Sequence, residues 1–259
     1  MTLRVEKLTK RFGGICALRE VDLVVEEGRI TGLIGPNGAG KTTLFNCVTG
    51  IHRPDAGRVT LGAPAVEITG LPAHDVCRRG IGRTFQNARV FAGMSVLENV
   101  MVGTFSRSAS GMWDVLRRSP SFLREEKQVR ETSRDLLSFV GLAERAGEMA
   151  GRLPFGLQRR LEIARALAAS PRLLLMDEPA AGMNPQEKED LLAIIRKVSS
   201  AGITVFVIEH DVQLVMRVCD WISVLDSGEK ISEGTPEQVR NDPRVIEAYL
   251  GAREYVAEG

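Results

Sequence analysis

Two segments of this chain carry residues whose types and spacing could handle a polyphosphate. Residues 35–43 read GPNGAGKTT, which sets glycines, a lysine and two hydroxyls side by side. A polyphosphate concentrates negative charge, and backbone N–H groups can crowd around it only where no side chain intervenes. Gly38 and Gly40 are the predicted points of close approach, with Gly35, Pro36, Asn37 and Ala39 completing the loop. Lys41 is placed to bridge β and γ oxygens as a point charge, Thr42 to offer its hydroxyl to Mg²⁺, and Thr43 to make a further phosphate contact. Downstream, LLLMDEP sets Asp177 and Glu178 directly after an apolar run. Two carboxylates at the carboxyl end of a strand can divide the work, one holding a metal and the other acting on water. Alone, such a pair reads as a helix N-cap with a solvated neighbour, and a glycine-rich run reads as a plain turn. Together they point to phosphoryl chemistry.

These residues need elements to position them. RITGLIG is a short apolar strand ending at Gly35, and TTLFNCVTG is a helix closing at Gly50, which is the strand, loop and helix context a phosphate-binding loop requires. Alternation over 3–8 and 21–25 predicts half-buried antiparallel strands, an entry sheet beside the nucleotide. Apolar runs at LLLM (173–176), TVFVI (204–208) and WISVL (221–225), separated by helical patterns, predict a largely parallel sheet covered by helices. From about residue 90 to 151 the texture becomes charged and helical, with Val129, Leu136, Leu137 and Val140 on one face. Gly111 and Pro120 mark breaks there, and 107–119 reads as a loop. The tail splits into two short helices at Asn241, Asp242 and Pro243 before a frayed end. The predicted fold is α/β, with a mainly parallel sheet core, an antiparallel β subdomain and an inserted α-helical subdomain, an arrangement that resembles the P-loop NTPases (RecA-like). Its expected divisions are a core over 1–89 and 156–235, a helical subdomain over 90–155 and a C-terminal tail over 236–259, all within one domain.

Composition bounds the function classes. With 34 basic against 33 acidic residues and a net charge of +1, there is no global electrostatic footprint for nucleic acid. The four cysteines are scattered without a CxxC pair, which argues against zinc or a disulfide framework. No segment approaches the roughly 18 uninterrupted apolar residues of a membrane span, and the N-terminus lacks a secretory pattern, so a transport pathway would need other subunits.

The segment LPFGLQRRLEIARALAASPRLLLMDEPAAGMNP (153–185), taken with the glycine-rich loop, resembles the ATP-binding cassette (ABC) family of ATPases. KRFGGICAL, RTFQN, IEHDV and the ending GTPEQVRNDPRVIEAYLG extend the likeness nearly end to end, toward the LivG-type ATPases of branched-chain amino-acid importers. The resemblance implies ATP and Mg²⁺ as ligands. It assigns Asp177 to Mg²⁺ and Glu178 to activation of water, Gln86 to Mg²⁺ and the attacking water, His210 to the γ-phosphate and Phe12 to adenine. Gly156 belongs to the signature turn usually written LSGGQ, which faces nucleotide held by the opposite subunit. Here Pro154, Phe155 and Leu157 replace its serine, first glycine and glutamine, removing a hydroxyl and an N–H. Asn184 stands at a position usually Asp, in a loop that runs along the subunit interface; otherwise that loop is a plain turn before a helix near Pro185.

The implied partners are a second, similar ATPase subunit, two membrane-spanning permease subunits and a periplasmic binding protein, at the cytoplasmic face of the membrane. VFAGMSVLENV (90–100) would meet the permease. Alternatives are an importer of the same design for urea, another amide or another amino acid, a soluble cassette ATPase acting on DNA or ribosomes, and a catalytically dead binding module. The soluble reading lacks its usual long coiled coils. The dead module is disfavoured by intact Lys41, Asp177, Glu178 and His210.

Overall fold

The computed structural model describes residues 3–86, 90–107 and 120–249. Its centre is a six-stranded sheet in the order β10-β9-β3-β8-β7-β6. The strands are β3 (Ile30–Ile34), β6 (Ile81–Arg83), β7 (Leu173–Asp177), β8 (Thr204–Ile208), β9 (Trp221–Asp226) and β10 (Glu229–Gly234). All neighbours run parallel except β10, which returns antiparallel along β9.

Strands β3, β7 and β8 are buried at every position, which is why they read as unbroken apolar runs. Their alternation serves two separate cores. Leu173, Leu175, Phe206, Ile208 and Leu33 face one cluster, whereas Leu174, Met176, Val205, Val207 and Ile34 face the other.

The first core is closed by an antiparallel sheet, β2-β1-β4-β5, and by helix α1 (Lys41–Val48). β1 (Leu3–Phe12) and β2 (Ile15–Val25) run longer than the alternation at 3–8 and 21–25 predicts, because Gly13, at φ +57, turns the chain straight back. β4 (Ala56–Leu61) and β5 (Val66–Glu67) carry too few apolar residues to announce themselves; β4 forms by pairing with β1, and β5 by pairing with β4. Helix α2 (Ala73–Arg78) leads into β6.

The second core is covered by α3 (Val96–Gly103), α4 (Pro120–Phe139), α5 (Phe155–Ala168), α6 (Pro185–Ser200) and α7 (Val212–Val218). α4 buries Ser133, Leu137 and, just past its end, Val140, with Val129 and Leu136 half-buried beside them, so the predicted face is the packed one. Pro120 opens α4, at a position where a missing N–H costs nothing. The segment before α3 turns rather than continuing as helix, with the Met94 N–H donating to the Phe91 carbonyl at 2.9 Å, and Ser95 bridges Met149. Residues 104–107 form a 3₁₀ turn, while the rest of the predicted loop, with Gly111, lies outside the described residues. At the end of the chain α8 (Pro236–Arg240) is followed by a second helical stretch over 243–249. The frayed end expected beyond it is also outside them. Among the described residues no helix is long and apolar enough to cross a membrane.

Candidate functional site

Because β3, β6, β7 and β8 are parallel, their carboxyl ends fall on one edge of the sheet, where open α/β sheets hold ligands. Each end delivers a residue singled out in the sequence. β3 leads to Gly35, β6 to Gln86, β7 to Asp177 and Glu178, and β8 to His210, with Asp177 in register with Ile208.

The glycine-rich loop wraps the start of α1. Gly40, at φ +99, caps that helix without any side-chain hydrogen bond, and its first turn holds no acid, so its N–H groups are left to an anion. A Cβ on Gly35 would lie 2.0 Å from the Leu225 carbonyl oxygen, whereas one on Gly38 would meet nothing. Lys41 is largely buried and donates to the carbonyls of Gly35 and Pro36 at 2.7 and 2.9 Å. Burial lowers its pKa, and Glu178 and Asp177 oppose that shift by their charge. Thr42 is exposed and Thr43 half-exposed on the same turn, beside Asn37 and Gly38 at the surface and Ala39 in the core.

Across from the loop, Gln86 Nε2 donates to Glu178 Oε2 at 2.8 Å, and His210 Nδ1 lies 3.9 Å from the same oxygen. Three residues predicted from separate motifs therefore meet. Glu178 is no helix N-cap: it sits at φ +46, and its N–H donates to the Ile208 carbonyl at 2.9 Å. A left-handed glutamate costs roughly 1–3 kcal/mol, a strain the neighbouring strands hold in place. Asp177 is buried; its Oδ2 accepts from Arg83 at 2.8 Å while its Oδ1 has no partner among the described residues. Burial raises its pKa and the Arg83 guanidinium partly reverses the shift.

Gly156 and Phe12 lie apart from this cluster in their contacts. Gly156 stands at the start of α5, behind Pro154 as N-cap with no side-chain bond, and a Cβ there would meet Glu187 at 2.4 Å. Asn184 caps α6 in a reciprocal box with Glu187, so the signature turn packs against the foot of the 180–184 loop of its own chain. Phe12 is 43% exposed at the end of β1, edge-on to His52 with Lys10 over its ring.

The sequence reading missed the residues that hold these groups. Arg83 donates to Asn46, Thr49 and Asp177 at 2.8 Å each, tying α1 to β7. Arg159 donates to the Phe85 and Gln86 carbonyls, and Glu162 accepts from the Phe85 N–H at 3.0 Å. α5 thus clamps the backbone on which Gln86 rides. Burial raises the Glu162 pKa, with the Phe85 N–H and Arg159 lowering it. A charge ending the short strand IGR, and two charges on the buried face of α5, were the available signals.

Residues 18–181 match the model of the ABC transporter family. The chain belongs to that family. Residues 229–255 match a second model, described as branched-chain amino acid ATP-binding cassette transporter. The cassette is 47% identical over 250 residues to the high-affinity branched-chain amino acid transport ATP-binding protein BraF of Pseudomonas aeruginosa, covering 96% of this chain and 97% of that one. It is 43% identical over the same shares to LivG of Escherichia coli, named in the same terms. Among solved structures it resembles an ATP-binding cassette of an ABC transporter in its ADP conformation, at TM-score 0.83 and 34% identity over 96% of this chain and 98% of that one. A dimeric cassette holding ADP and phosphate after hydrolysis matches at TM-score 0.76 and 26% identity, over 90% and 98%. The cassette is an ATPase that binds nucleotide with a P-loop NTPase fold.

Proposed function

We propose that this ATPase powers uptake of branched-chain amino acids through separate membrane subunits, working as a peripheral subunit at the cytoplasmic face of the membrane. The observation that carries this is the 47% identity across nearly the whole of both chains, which extends through the C-terminal segment rather than stopping at the nucleotide motifs. Two such subunits would close head to tail on ATP; a related cassette is dimeric in its post-hydrolysis state. Each signature turn around Gly156 would then face the partner's nucleotide.

The residues present fit Mg²⁺ with ATP. Asp177 Oδ1 is a buried acceptor without a partner among the described residues, and it lies on the sheet edge that also delivers Gln86 and the loop leading to Thr42. No cluster of three or more His, Cys, Asp or Glu side chains exists among the described residues, so phosphate oxygens and water would complete the shell. Bound there, Mg²⁺ would neutralise charge building on the phosphate oxygens. Lys41, released from the Gly35 and Pro36 carbonyls, would reach the β and γ oxygens, while N–H groups from Gly35 to Thr43 cradle the chain of phosphates. Phe12 would lie against adenine. Glu178 would take a proton from water attacking the γ-phosphorus as the bond to the bridging oxygen breaks, yielding ADP and phosphate. Gln86 would orient that water, and His210 would contact the γ-phosphate.

The permease contact would fall on the exposed Phe91 and Met94 rather than on Glu98, whose carboxylate closes the cap of α3 on Ser95 at 2.8 Å. Glu178→Gln should lower ATP turnover by about 10²–10⁴-fold while leaving nucleotide bound. Equal rates in variant and wild type would defeat the assignment of the site. Radiolabelled leucine, isoleucine and valine uptake by the purified complex tests the substrate, and failure with all three would sink it.

A further inference from the structure

Glu209 is a fully buried carboxylate to which nothing above gives a task. It follows β8 directly, where a lone ionised group is strongly disfavoured unless it is answered by donors. One oxygen is answered: Oε1 accepts from the Ala180 N–H at 2.8 Å. The other, Oε2, has no hydrogen-bond partner among the described residues and lies 3.8 Å from His210 Nδ1. Ala180 lies within the loop that runs from Glu178 to the cap of α6 at Asn184. A single side chain therefore touches that loop with one oxygen and faces the imidazole of His210 with the other. Burial pushes its carboxyl upward, while the Ala180 amide and the nearby His210 lower it.

We propose that Glu209 is a positioning residue for ATP hydrolysis, fixing the 180–184 loop through Oε1 and orienting the His210 ring through Oε2. A small rotation of the exposed imidazole closes the gap, so that Nδ1–H donates to Glu209 and Nε2 points outward. The competing acceptor at that nitrogen, Glu178 Oε2, already receives the Gln86 carboxamide. The same residue then links a group of the cassette's own site to the loop that would border a second subunit. The proposal rests on the hydrolytic roles assigned above to Glu178 and His210.

Glu209→Gln separates the two contacts, because its carbonyl still accepts from Ala180 while its NH₂ cannot accept from Nδ1–H. In the complex purified through the full-length chain, kcat should fall about tenfold, the scale seen when the outer partner of a functional histidine is removed, with KM for ATP unchanged. Side-chain ¹⁵N NMR of His210 in the wild-type chain provides a reading that needs no variant, and it should show Nδ1 protonated. Wild-type kcat in Glu209→Gln, or a His210 ring protonated only on Nε2, would overturn the proposal. If Glu178→Gln is inactive while Glu209→Gln is fully active, only this inference falls. If Glu178→Gln retains full activity, the site assignment falls first.

Discussion

Replacing Arg83 with methionine removes the cation hydrogen-bonded to Asp177 while keeping most of the buried volume. Arg83 and Asp177 side chains are 8% and 3% exposed, so the pair sits beyond the reach of solvent screening. The same guanidinium also satisfies Asn46 and Thr49, and its carbon lies 5.2 Å from the Phe85 ring. Removing one partner of a buried pair typically costs about 3–5 kcal/mol, because the remaining charge is left unanswered. At about 2–4 °C per kcal/mol for a chain of this size, Arg83→Met should lower the melting temperature by about 6–20 °C near pH 8.

The pH dependence has a definite sign. Burial already raises the Asp177 pKa, and Arg83 is the largest influence lowering it. Without Arg83 the folded-state pKa rises further above its unfolded value, so the folded protein holds the proton more tightly than the unfolded chain. Stability relative to wild type is then greatest at low pH and is lost as pH rises through the folded pKa. Thermal melts followed by circular dichroism from about pH 5 to pH 8 should show the gap between variant and wild type widening with pH. A gap below about 2 °C near pH 8, or one independent of pH, would refute the reasoning that a buried, Arg-compensated carboxylate sits at this position.

Two glycines of the phosphate loop should respond differently to alanine. Gly35→Ala forces a Cβ to 2.0 Å from the Leu225 carbonyl oxygen and should abolish nucleotide binding or soluble expression, whereas Gly38→Ala meets no atom and pays only for its φ of +81, about 1–2 kcal/mol. Equal tolerance of both in a fluorescent-nucleotide binding assay would contradict the packing around β9. Cysteine reactivity should divide in two. Burial pushes the Cys47 thiol up to about 11 and raises that of Cys219 further, while Cys16 and Cys77 are partly exposed. Native alkylation near pH 8, read by mass spectrometry, should label Cys16 and Cys77 first, and early labelling of Cys47 would show that α1 opens readily.

Much of the site was legible because its chemistry is local in the chain. The loop needs glycines, a lysine and hydroxyls in consecutive positions, and Asp177 and Glu178 directly follow the strand that presents them. The parallel core was legible too, since strands buried on both faces must be apolar throughout. β4, β5 and β10 were not, because they are short and polar, and they form through pairing with a neighbour already in place.

By itself the sequence determined which groups could meet a polyphosphate, and it set Gly35, Asp177 and Glu178 directly after apolar strands. Tertiary structure alone decided their pairings. Gln86 and Glu178 are 92 positions apart and bond because β6 and β7 are adjacent, and Arg83 reaches Asp177 for the same reason. Glu209 meets Ala180, and Arg159 meets the Gln86 backbone, only once the sheet order and the seat of α5 are fixed. Hydrogen bonds between distant residues leave no periodicity in the chain, because each depends on a crossover whose length and path the intervening residues do not record.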